Sequence, residues 1–338
     1  MFDRYRGSLG DELRAAMHDD PPQLYNILKY HMGWVDADGC PVVNSESQGK
    51  ALRPTLCLFS CEALSGQWET ALPAAAAMEY VHNFSLIHDD IQDGDQERRH
   101  QPTVWSVWGV PQALSAGDAM FSLADSTAHR LSSRGLSPGT VLNVSKLIMQ
   151  GYLEMIEGQC LDLSFEDSVH VGVEDYLRMI ALKTGALIRC SMAIGACIGS
   201  GDPVVVEAFA RSGARLGRAF QVRDDVLGVW GDQETTGKAV GADIFRKKKS
   251  YPLAYALDTA SPATRQRLIG LQDKPELDQE DADQVLDILQ EVGAQEAAQR
   301  LVSDNAQQAV EELDCVELPS WARAEFQHLV NFLTSRDY

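Results

Sequence analysis

The sequence contains no CxxC pair and no Cys/His spacing. Its seven cysteines (40, 57, 61, 160, 190, 197 and 315) are scattered, several of them inside apolar helical runs. That distribution speaks against a zinc site or a disulfide framework and for reduced, structural thiols. No apolar stretch approaches the roughly 20 residues of a spanning helix, and "MFDRYRGSLG" lacks the apolar core of a signal peptide. The expectation is a cytoplasmic protein without stable membrane insertion. Positive charge is also scarce: 29 Lys and Arg stand against 49 Asp and Glu, a net charge of -20. Such a field repels phosphates at long range, so no nucleic-acid partner is expected. A phosphorylated molecule would have to be met by local cations or by metals. Convincing alternating strands are missing, and no segment repeats at a fixed period.

What the 338 residues do hold is 45% hydrophobic content, ample for a large core. Apolar residues recur at three- and four-residue intervals in "GKALRPTLCLFSCEALSG", "ALPAAAAMEYVHNFSLIHDDIQDG" and "SKLIMQGYLEMIEGQCLDLSFE". This periodicity runs from about residue 8 to residue 335 and predicts helix after helix. Breaks fall at clusters such as "GWVDADGCPVVNSESQG", "SGDP" and "WGDQETTGKAVGAD", none long enough to divide the chain. The fold class is therefore read as all-α, a single-domain helical bundle over residues 1–338. The last 75 residues or so carry no chemical motif and are expected to complete the fold.

The chemistry concentrates in "HDDIQDGDQERRHQPTVW". On a helix Asp89, Asp90 and Asp93 occupy i, i+1 and i+4, which stacks Asp89 and Asp93 on one face. Two like charges about 4 Å apart repel by roughly 4 kcal/mol at an effective dielectric near 20, so the arrangement calls for a cation. Carboxylates without Cys or His favour a hard ion, and magnesium usually bridges a few carboxylates to substrate phosphates. Taken alone, the cluster could equally be a solvated helix end. A second cluster, "FQVRDDVLGVWGD", places Gln221, Asp224 and Asp225 at i, i+3 and i+4, with "TGK" and "RKKKS" close behind. Two acidic faces followed by cations describe a pocket for a multiply charged anion with metal ions, and diphosphate is the simplest candidate.

These residues resemble the trans-isoprenyl diphosphate synthases, the polyprenyl synthetase family. The likeness runs from about residue 45 to residue 256 through "GKALRP", "DDIQD", "RRHQPTVW", "EGQCLDL", "KTGALI" and "FQVRDD" in order. It implies an isoprenoid-synthase bundle with a central apolar cavity, and an enzyme that condenses isopentenyl diphosphate head-to-tail with an allylic diphosphate. The resemblance further implies that Lys50, Arg53, His82 and Arg99 hold isopentenyl diphosphate, and that Arg98, Lys183, Lys238 and Lys248 contact the allylic diphosphate. Metal is assigned to Asp89, Asp90, Asp93, Asp224 and Asp225, with three magnesium ions per site and manganese able to substitute. Lys183, Thr184 and Gln221 are the implied catalytic group, the latter two presenting oxygen atoms near the allylic carbon. A homodimer is the implied assembly, to which "SAGDAMFSLADS" would contribute.

One departure stands out: the family's second DDxxD motif reads "DDVLG", so Gly228 removes a carboxylate, for which Asp232 is a candidate substitute. Two alternatives stay open, a class I terpene cyclase on the same fold and a non-catalytic partner subunit of a prenyl synthase. Phe84, five positions before Asp89, and the small Ser85 after it are the expected chain-length residues. One helical turn rises about 5.4 Å, close to one isoprene unit. The ring at Phe84 with no ring at Ser85 resembles the geranylgeranyl diphosphate synthases and implies a C20 product, with C15 second.

Overall fold

The structure is a computed structural model that describes residues 1–18, 21–42, 49, 51–166, 168–231 and 241–334. In chain order its principal elements are α1 (Phe2–Ala16), α2 (Pro22–His31), α3 (Leu52–Ser65), α4 (Leu72–Gln92), β1 (Glu97–Arg98), β2 (Gln101–Pro102), α5 (Val104–Trp108) and α6 (Val110–His129). There follow α7 (Pro138–Glu166), α8 (Val173–Ile180), a π-helical turn at Ala181–Gly185, α9 (Ala186–Gly199) and α10 (Pro203–Trp230). The chain ends with α11 (Ala242–Phe245), α12 (Tyr251–Thr259), α13 (Pro262–Gln272), α14 (Gln279–Glu291), α15 (Ala294–Glu311) and α16 (Ser320–Thr334). These form two compact units, the first of residues 1–150 and 190–207, the second of 151–189 and 208–338.

In the first unit α4 is the central element. Pro73 sits in its first turn, where the missing N–H costs nothing, and the alanine run that follows is a strong helix former. Residues 74–78, 80 and 81 are fully buried, so the helix is enclosed on every side over this stretch. Tyr80 donates its hydroxyl to the Leu13 carbonyl at 2.5 Å, and the buried Glu12 is held by Arg130 (3.2 Å) and Arg134 (2.6 Å), which ties α1 to the core. A Cβ on Gly199 would stand 2.8 Å from the Cys61 carbonyl oxygen, and one on Gly195 would overlap that of Cys57. These two glycines let α9 lie directly on the α3 backbone.

The second unit is built on α10. Val222 and Val226 pack with Tyr176, Met179 and Ile180 of α8, Tyr251 of α12 and Ala298 and Val302 of α15. Val229, near the end of α10, joins a neighbouring cluster with Ile244, Leu253 and Leu268. The late helices thus complete the core around α10, as their lack of chemical motifs suggests.

Two details of the structure add to the sequence reading. Val173–Gly199 holds an 18-residue window of mean hydropathy 1.4 and is long enough to cross a membrane. Within the protein 78% of its hydrophobic window is buried, so internal packing accounts for its composition. Strands are also present: Glu97 pairs with Pro102 and Arg98 with Gln101 in a two-residue antiparallel hairpin. None of the seven cysteines forms a disulfide, and 57, 61, 190 and 197 are buried.

Candidate active site

In the first unit the chemistry gathers at the C-terminal end of α4. Asp89 and Asp90 lie in the last turn and Asp93 is the C-cap, where no basic side chain offsets the helix dipole. Three carboxylates at the negative end of a helix destabilise it unless a cation is supplied. Their environments differ. Asp93 is exposed and Asp89 half-buried, whereas Asp90 is 1% exposed and accepts from Arg98 Nε at 2.6 Å. Burial pushes the Asp90 carboxyl up to about 6 against the pull of Arg98.

The Asp90–Arg98 pair anchors the hairpin, and the hairpin sets Arg99. Arg99 (φ 53°) and His100 (φ 60°) are both left-handed, the geometry of a two-residue I′ turn that ordinarily takes Asn-Gly. Each costs about 1–2 kcal/mol in that region. The turn is held by its surroundings: Tyr30 donates to the Pro102 carbonyl at 2.8 Å, and Thr103 and Trp105 both donate to the Asp95 carbonyl at 2.8 Å. A Cβ on Gly49 would lie 2.6 Å from Arg99 Nη2, so glycine is what allows the chain to run against that guanidinium.

Around Arg99 a cationic cluster forms with Arg53, at the start of α3, and Arg98. Burial lowers the Arg53 guanidinium to about 10, with Glu79 opposing and Arg99 adding to the shift. His82 is driven well below its ordinary value by burial, then by Arg53, Arg99 and Arg98. His31, at the end of α2, falls to about 3 by burial, then by Arg99 and Arg98. Both imidazoles are therefore neutral. Glu79, bonded by Asn83 Nδ2 at 3.2 Å, has its carboxyl raised by burial. Three buried polar atoms here lack a protein partner: His31 Nε2, Arg53 Nε and Glu79 Oε2. Guanidiniums and neutral imidazoles with unmet hydrogen-bonding capacity suit a phosphate-class anion.

One face of α4 runs from this cluster to an aromatic group. Phe84 is buried and packs on His88 (4.7 Å between centroids) and on Phe121 of α6 (5.7 Å). Ser85 donates to the His82 carbonyl at 2.7 Å. His88 fills the space a side chain on Gly117 would need.

In the second unit the π-helical turn carries Lys183 and Thr184. Glycines make room for it: a Cβ on Gly158 would overlap the Lys183 backbone, and one on Gly217 would stand 2.8 Å from Gly185 Cα. Lys183 Nζ reaches Asp162 on α7 at 2.5 Å. Thr184 donates to Gln221 Oε1 at 2.7 Å, and Gln221 Nε2 donates to Asp225 Oδ1 at 3.2 Å. Asp225 is fully buried and also accepts from the Tyr176 hydroxyl and from the Tyr251 N–H at 3.1 Å. Its carboxyl is raised by burial, opposed by Lys248, Tyr176 and Tyr251. Lys248 Nζ lies 3.5 Å from Asp225 and 3.4 Å from Asp243. Burial works against that ammonium, but the two aspartates and Asp224 outweigh it and raise its pKa. Asp224, the next residue on α10, is exposed.

The structure thus brings Arg53, His82, Arg98 and Arg99 together in one unit, and Lys183, Thr184, Gln221, Asp225 and Lys248 in the other. Asp90, Asp225 and Arg98, expected to meet metal or diphosphate, are here engaged by protein partners. Lys50, Lys238 and Asp232 lie outside the described residues. Sequence reasoning missed His31, Glu79, Tyr176 and Asp243. The signal for Tyr176 was its place in an apolar helical run and for His31 its place at a helix end, neither of which marks chemistry. Among the described residues no three His, Cys, Asp or Glu side chains converge on a protein-only metal cage. The carboxylate oxygens of Asp89 and Asp93 in the first unit, and of Asp224 in the second, are hard donors of the kind magnesium takes, with the rest of its shell left to water and phosphate oxygens.

The profile of the polyprenyl synthetase family matches residues 41–289, and the chain belongs to that family. It is an enzyme, a prenyltransferase that joins prenyl units head-to-tail on the all-α isoprenoid synthase fold. It is 36% identical over 320 residues to the geranylgeranyl diphosphate synthase of Mycobacterium tuberculosis, covering 94% of this chain and 90% of that one. It is 35% identical over 318 residues to the (2E,6E)-farnesyl diphosphate synthase of Mycobacterium bovis, covering 93% and 87%. Among solved structures, polyprenyl synthetase from Streptomyces coelicolor A3(2) superposes with a TM-score of 0.90 at 35% identity over 98% of both chains.

Proposed function

We propose that the protein extends an allylic diphosphate with isopentenyl diphosphate to a C20 product, geranylgeranyl diphosphate, using magnesium, for which manganese can substitute. The observation that carries this reading is the Arg53, Arg99, His82 and His31 cluster with its two orphaned donor-class atoms, Arg53 Nε and His31 Nε2. A second diphosphate that does not leave needs such a metal-free seat; a cyclase has no use for it. Arg99, held in a left-handed turn, and Arg53, in the first turn of α3, grip the isopentenyl diphosphate, and neutral His82 adds a hydrogen bond without further charge. The ligand set for the metal narrows to Asp89, Asp93 and Asp224, because Asp90 and Asp225 are enclosed by protein donors. When bound, magnesium stabilises the departing diphosphate and so eases breakage of the carbon–oxygen bond.

The chain's own contribution to the developing allylic cation is directional. The Thr184 hydroxyl hydrogen is committed to Gln221, whose amide hydrogens point to Asp225, so the Thr184 oxygen turns lone pairs outward. Such fixed dipoles stabilise positive charge without reorganising. Lys183, beside Asp162, and Lys248, beside Asp225 and Asp243, are available to the leaving diphosphate. The proton lost in the last step passes to that diphosphate.

The test is an incubation with magnesium, radiolabelled isopentenyl diphosphate and separate C5, C10 and C15 allylic primers, followed by product chromatography. Labelled C20 diphosphate is expected. A label-free hydrocarbon would make the protein a cyclase, and no turnover without a second protein would make it a partner subunit. The homodimer and the cytoplasmic location belong to the same proposal, supported by family resemblance.

A further inference from the structure

The missing carboxylate of the second motif has a structural counterpart. Gly228 lies on α10 at i+4 from Asp224 and i+3 from Asp225, on the face those residues share. A Cβ there would overlap the carboxylate of Asp243, whose Cγ and both oxygens fill the vacant side-chain position. Asp243 is 6% exposed and comes from α11, fifteen residues along the chain. The segment around it folds back on itself. Lys247 adopts a left-handed backbone (φ 51°), Lys248 N–H donates to the Asp243 carbonyl at 3.0 Å, and Lys248 Nζ then bridges Asp243 and Asp225. Ile244 of the same turn is buried in the core cluster of Val229, which fixes the segment on α10.

We propose that Gly228 is the seat of Asp243, and that Asp243 is a positioning residue that supplies from α11 the carboxylate "DDVLG" lacks, holding Lys248 beside Asp225. This inference rests on the reading of Lys248 as a contact to the allylic diphosphate. It makes glycine at 228 a requirement of this chain, and an aspartate there harmful although it restores the family pattern.

The experiment compares full-length wild type with Gly228→Ala, Gly228→Asp, Asp243→Ala and the double variant Gly228→Asp/Asp243→Ala, by thermal unfolding and by steady-state kinetics with magnesium. Gly228→Ala and Gly228→Asp should lower Tm by roughly 3–10 °C, since each forces a side chain into filled space. Both should raise KM for the allylic diphosphate about tenfold while leaving KM for isopentenyl diphosphate unchanged. With Asp243 cut back to Ala, adding Gly228→Asp should leave Tm unchanged or raise it and should bring the allylic KM back toward wild type, a non-additivity that reports direct contact. The proposal is overturned if Gly228→Asp leaves Tm unchanged in the wild-type background, or if its effects are the same with and without Asp243. Inactivity of the wild type would sink the functional reading while the melting cycle still decides the seat.

Discussion

Two neighbouring carboxylates at the end of α4 have opposite environments, and single substitutions should separate them. Asp90→Ala leaves Arg98 without its partner and frees the hairpin, so it should lower stability by about 1–3 kcal/mol, read as a shift in urea midpoint. Asp89→Asn should lower kcat by roughly 100-fold or more, since on the proposed reading its carboxylate holds the metal. His31 provides a pH test. The unfolded chain takes up its proton near 6.5 and the folded chain only near 3. The stability this imidazole contributes is therefore complete above pH 6.5 and is lost as pH falls toward 3. Replacing His31 with Gln should flatten the acid limb of the stability curve between about pH 6 and 4 relative to wild type. At this scale the sequence showed which residues carry charge but not which way each points. Asp89 and Asp90 are adjacent letters, and only the packing of the hairpin against α4 decides that one is buried.

Helices α4 and α10 were legible because their apolar spacing is long and regular, and they place the motifs where that spacing predicts. The hairpin was not legible: two residues per strand establish no period, and its turn is Arg-His instead of Asn-Gly. Since His100 carries backbone strain with an exposed side chain, His100→Gly should stabilise the protein by about 1 kcal/mol with little change in kcat, as measured by denaturant melts and steady-state kinetics. The π-helical turn was equally hidden, because "ALKTG" reads as ordinary helix; its signals, Gly158 and Gly217, lie on other helices. Packing along α4 bears on product length. Phe84→Ala opens space beside Phe121 and His88 and should shift chromatographed products to C25 or longer, whereas an unchanged distribution would place the floor elsewhere.

Over the whole molecule, a charge of -20 surrounds a small cluster of arginines. The long-range field repels diphosphate substrates and is screened by salt, while buried contacts to Arg53 are screened much less. At fixed magnesium, kcat/KM should hold or rise as ionic strength goes from about 10 to about 150 mM, and a steep fall would show that exposed cations dominate capture. Apolar periodicity pointed to the all-helical class, and ordered motifs to the family. Burial of the apolar run at Val173–Gly199 could not be read from hydropathy, which scores a core helix and a membrane helix alike. That run also contains the π-helical turn, which winds one residue more than an α-turn would. Its i→i+5 bonding absorbs the extra residue inside that one turn, so deleting any one residue from 181 to 185 would close it to ordinary α-helix. The irregularity is confined to the turn that carries Lys183 and Thr184: a chain one letter shorter at this point would keep its helix and lose the widened loop of backbone that presents those two side chains.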